Sequence, residues 1–181
     1  MSKSDLDELK EKAKGRPWEG LFKLMAAASP NEDLSLVIQC HLLIEECLNS
    51  ILEESLPDPE VLEIDRLNFA RKAQLVCALG KLSKELYEPI SQLNRIRNKF
   101  AHNSGRVLDQ ADVESIWALM PKDKIGMEDN IVRDSTPRAN MIVVLGCLLA
   151  PVYGTMQGLK HKNQLRIPTA TLLTNTKARK P

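Results

Sequence analysis

Hydrophobic residues recur along this chain at three- and four-residue steps in several separate stretches and almost nowhere alternate with polar ones, a pattern that predicts helices and no sheet. Leu34, Val37, Ile38, Leu42, Ile44, Leu48, Ile51 and Leu52 form one series, capped by Asp33 or Asn31 and broken by LPDPE at 56–60. A second helix is expected from about Val61 to Leu79, closed by Gly80, whose missing side chain suits a left-handed residue. A third opens near Ser83, where SKEL sets Ser and Glu in nearly capping-box order and Pro89 moves the first true turn toward Glu88. It runs to about His102, and Asn103, Ser104 and Gly105 stop it.

A short helix follows with Val113, Ile116, Trp117 and Met120, capped by Asp109 or Asp112 and ended by Pro121. The polar stretch 122–136 reads as a loop, and a last helix spans about Pro137 to Met156, kinked or broken at Pro151. Before all of these, Asp5 to Lys14 reads as a short charged helix, and Trp18, Leu21, Phe22 and Met25 have helical spacing. The expected fold is all-α, an antiparallel helical bundle of about four to six helices. An N-terminal helical arm (1–30) precedes the domain (31–158), and a flexible basic tail (159–181), disordered from Asn163, follows it.

With 181 residues the chain can bury one good core, and an apolar share of 43% beside a charged share of 27% is that of a globular protein. Net charge is only +1, but residues 135–181 hold seven Lys or Arg and no acid, which leaves 18 bases against 24 acids in the rest. Such a basic segment (Lys160, Lys162, Arg166, Lys177, Arg179, Lys180) suits nonspecific contact with phosphates, or simple solvation. Cys40, Cys47, Cys77 and Cys147 sit in apolar runs without a CxxC pair, as small hydrophobes in a reducing cytosol do. The N-terminus has no apolar signal core, and Met141 to Met156 falls short of the ~20 apolar residues of a membrane span, so a cytoplasmic protein without membrane attachment is expected.

One stretch departs from an ordinary solvated helix end: RIRNKFAHNSG at 95–105. On a helical wheel with Leu93 at zero, Leu86, Ile90, Ile96 and Phe100 lie within about 60° of it; Arg97 falls near 40°, Asn98 near 140°, His102 near 180° and Arg95 near 200°. His102 therefore faces away from its own core, while Arg97 lies at the core margin with its stem on apolar surface. A histidine that moves protons, beside an arginine that holds a phosphate, is the least equipment for cleaving RNA through its own 2′-hydroxyl without a metal.

Arg97-Asn98-Lys99-Phe100-Ala101-His102 resembles the R-x4-6-H signature of the HEPN superfamily, including the polar residue that follows the arginine. HLLIEECLNSIL (41–52), ALGKL (78–82) and LNRIRNKFAHN (93–103) together resemble small bacterial HEPN proteins and, more loosely, the mannitol operon repressor family; the likeness covers about 34–119. It implies a helical homodimer with two signature helices facing one cleft, metal-independent endoribonuclease activity, and a role as a toxin or phage-defence effector with a protein antitoxin as partner. It makes Arg97 and His102 catalytic, with Asn98, Arg95 and Asn103 binding or orienting phosphate, and needs no cofactor. The family also contains noncatalytic members, so a helical regulator or adaptor binding a protein or nucleotide is the alternative.

His41 and Glu45, one turn apart, are candidate supports for the site; as metal ligands they lack a third partner at readable spacing, and a structural hydrogen bond is the stronger reading. Neither a glycine-rich phosphate loop nor a nucleophile elbow is present.

Overall fold

The computed structural model describes residues 33–103, 105–125 and 136–165; the expected arm at 1–30, most of the 122–136 linker, Ser104 and the tail beyond 165 lie outside them. Among the described residues the chain is all-α with no strand. Its helices are α1 (Asp33–Ser55), α2 (Phe69–Ala78), α3 (Tyr87–His102), α4 (Gln110–Trp117), α5 (Lys122–Ile125) and α6 (Pro137–Gln164).

α1 buries Leu36, Val37, Cys40, Ile44, Leu48, Ile51 and Leu52, a stripe that follows the sequence periodicity, although Leu42 is 56% exposed. Asp33, one of its two expected caps, is its first helical residue and reaches across the fold: Leu108 N–H donates to Oδ2 at 2.9 Å and Arg138 Nη1 to Oδ1 at 2.9 Å. At the other end Asn163 Nδ2 donates to the Glu54 carbonyl at 3.0 Å. Start therefore meets start and end meets end, so α1 and α6 run side by side in the same direction. This corrects the antiparallel expectation for the two longest helices. α3 does run against α1, because Asn94 meets His41 while the segment after His102 returns to Asp33.

The helix expected over 61–79 begins only at Phe69. Two single 3-10 turns, Glu60–Leu62 and Ile64–Arg66, occupy its first part, with Glu63 between them at φ 47°. Val61, which drew the expectation upstream, is 79% exposed, and Asn68 is the true cap, its side chain accepting from Arg71 N–H. Gly80 (φ 66°) ends α2 as expected, with Lys81 N–H to the Val76 carbonyl and Gly80 N–H to that of Cys77. Of the two candidates ahead of α4, Asp109 is the cap.

Pro151 does not break the last helix, which is 28 residues long and ends at Gln164 rather than Met156, taking in residues 159–164 that were assigned to the tail. Leu145, Leu148, Leu149, Val152 and Met156 are buried on both sides of the proline. That continuous burial outweighs the local cost of about 3 kcal/mol. Part of the expected 122–136 loop is helical as α5. By length and composition α1 and α6 are apolar enough to cross a membrane, with 50% and 61% of their apolar stretches buried inside the fold. All four cysteines are free; burial pushes the thiol of Cys47 up to about 11 and of Cys147 up to about 12.

The segment leaving α3 is braced from two sides. Arg106 Nη2 donates to both carboxylate oxygens of buried Asp112, and its guanidinium lies 5.5 Å from the centre of the Phe100 ring. Asp112→Ala is expected to cost about 2 kcal/mol, because charge-assisted bonds go while Arg106 retains partial access to water. A lowered urea midpoint at unchanged m-value checks it.

Candidate functional site

The last two turns of α3 carry the RNKFAH run, and α3 ends at His102 as its sequence implies. Leu93, Ile96 and Phe100 are buried on one side; Asn98, Lys99, His102 and Asn103 are exposed on the others. Arg97 is half-buried and donates from Nη1 to Asn98 Oδ1 at 3.2 Å, so cation and carboxamide form one unit. His102 makes no hydrogen bond or ion pair to another described residue. Five residues place it about 7.5 Å along the axis from Arg97, with the two side chains about 140° apart, and no hydrogen bond joins them in one chain.

Two of the expected phosphate ligands are employed elsewhere. Arg95 is exposed and donates to Gln92 Oε1 at 3.0 Å, and Gln92 in turn reaches Ser115 on α4, so this arginine is held toward the opposite flank of α3. Asn103 shapes the turn, its Oδ1 accepting from Gly105 N–H at 3.2 Å.

His41 and Glu45 belong to a polar junction between α1, α2 and α3. His41 is 5% exposed and stacks on Phe69 with ring centres 4.0 Å apart; its Nε2 lies 3.0 Å from Asn94 Oδ1, and since an amide oxygen only accepts, the imidazole donates. Glu45 Oε1 accepts from Lys72 Nζ at 2.7 Å, with the lysine side chain only 4% exposed. Each candidate support is therefore committed to its own partner. Among the described residues no group of three or more His, Cys, Asp or Glu is placed to hold a metal ion.

Sequence reasoning missed Lys72 and Asn94. Both carry a signal: Lys72 shares a helical stripe with Phe69, Ala73 and Val76, where a solvated lysine does not belong, and Asn94 lies one turn before Asn98.

Burial lowers the His41 pKa below its ordinary 6.5; the Asn94 bond opposes this and the nearby Arg97 charge adds to it. The unfolded imidazole therefore takes its proton at higher pH than the folded one. Stability is lost as pH falls through 6.5 and levels off once the folded ring is protonated too. His41→Gln is expected to flatten this part of the stability curve and to match the wild-type slope above it, as denaturant titrations at a series of pH values would show. Compared with known proteins, the chain matches no family model, no curated protein and no solved structure.

Proposed function

We propose that this protein is a metal-independent endoribonuclease whose site is completed when two copies bring their α3 ends together. The observation that carries the reading is the exposed polar end of α3: Arg97 tied to Asn98, with His102 one turn beyond Asn98 and its imidazole open to solvent. The HEPN-like RNKFAH run is the second support.

In the proposed reaction the RNA 2′-oxygen attacks the adjacent phosphorus while an imidazole takes its proton. Arg97 and Asn98 hold the non-bridging oxygens as negative charge builds on them. The bond from phosphorus to the 5′-oxygen breaks, and that oxygen receives a proton from a second imidazole, leaving a 2′,3′-cyclic phosphate and a 5′-hydroxyl. One histidine cannot be base and acid at once, so the partner's His102 supplies the second role. Pairing of copies also closes the angular gap between Arg97 and His102. DNA, without the 2′-hydroxyl, is not cut.

The absence of a direct bond between Arg97 and His102 in one chain favours the second reading, a noncatalytic module that uses this face to bind. Incubation with RNA in excess chelator separates the two. Wild type is expected to cleave, with Arg97→Ala and His102→Ala each at least about a hundredfold slower. Mixing the two variants leaves cleavage far below wild type, because the mixed dimer carries a single His102 where the reaction needs two imidazoles, and light scattering detects that dimer. RNA bound but uncut by wild type selects the second reading, and equal cleavage by all three proteins identifies a contaminant.

A further inference from the structure

The junction of α1, α2 and α3 is more polar than helix packing requires. Lys72 and Glu45 satisfy each other, but His41 and Asn94 form a neutral pair that apolar side chains of the same shape would replace at little cost in stability. What the pair accomplishes is orientation. Stacking on Phe69 holds the His41 ring, and its N–H claims the Asn94 oxygen. The Asn94 amide N–H groups are left for another acceptor: they make no hydrogen bond to a described residue and are not among the buried polar atoms that lack one.

Asn94 lies three residues before Arg97, four before Asn98 and eight before His102, on the same helix face. An amide turned the other way would meet an incoming phosphate oxygen with its own oxygen. Held by His41, it meets that oxygen with hydrogen. Arg97, which is half-buried beside this pair, adds a permanent positive charge to the same wall.

We infer that Asn94, oriented by His41, is an RNA-contacting residue that binds a phosphate oxygen of a nucleotide next to the scissile one, extending the anion-binding face one turn beyond Asn98. His41 is then a positioning residue. The inference rests on the proposed action on RNA and adds a second phosphate subsite, about 6 Å further along α3.

The test is fluorescence anisotropy with a labelled single-stranded RNA of mixed sequence, with melting temperature recorded for every variant. Asn94→Ala and His41→Leu are each expected to weaken binding about tenfold; each also leaves a polar partner unmatched and lowers the melting temperature, so binding is read well below the midpoint. His41→Gln, which puts an N–H back where Nε2 was, recovers binding relative to His41→Leu. Asn94→Asp retains an acceptor for His41, and with it the fold, but offers phosphate an anion; it too binds weakly. Wild-type affinity in Asn94→Asp and Asn94→Ala, with Arg97→Ala still impaired, overturns the second subsite and leaves the ribonuclease reading intact. Absence of RNA binding by wild type overturns both.

Discussion

The ammonium of Lys72 is withdrawn from water against the carboxylate of Glu45, and the geometry of the candidate site follows from that contact. Desolvating an ion costs several kcal/mol, and only a close partner offsets it, so a buried lysine that must meet the half-buried Glu45 restricts the register of the two helices more than interchangeable apolar contacts do. Once position 45 of α1 meets position 72 of α2, one turn back on each helix places His41 against Phe69. The stacked imidazole then selects the orientation of Asn94, and through it the disposition of α3.

Two kinds of order meet along α3. Asn94, Arg97 and Asn98 are each tied to a neighbour, which suits the phosphate-holding role proposed for them. His102 projects into solvent, which suits the proton-transfer role proposed for it. The Arg106–Asp112 pair and the contact of Arg106 with Phe100 fix where the helix stops, and so where that imidazole is presented.

Much of this arrangement is legible in the residues. The wheel alone turns His102 and Asn98 away from the core and leaves Arg97 at its margin, and the structure places them so. Gly80 announces its left-handed turn, and a cap for α4 is legible as one of two acids, of which the structure uses Asp109. Where the structure departs from the pattern, burial outweighs a local signal. Val61 carries an apolar side chain but leaves it in solvent, so the periodicity through 61–68 describes turns rather than a helix. Pro151 breaks helices where nothing opposes it, and here buried apolar side chains on both sides do. The partners of Glu45 and Asn94 lie 27 and 53 residues distant in the chain, beyond what spacing on one helix can reveal.

The parallel course of α1 and α6 governs the order in which the molecule can be completed. Their ends are tied by contacts 105 and 109 residues apart in sequence, so the face of α1 that α6 covers has no final partner until the residues through Gln164 have left the ribosome. During synthesis that greasy surface must wait, and among the described helices α6 acts as the closing stave of a barrel whose other members are already in place. A chain cut short before Pro137 would retain α3 yet leave its scaffold open along one side.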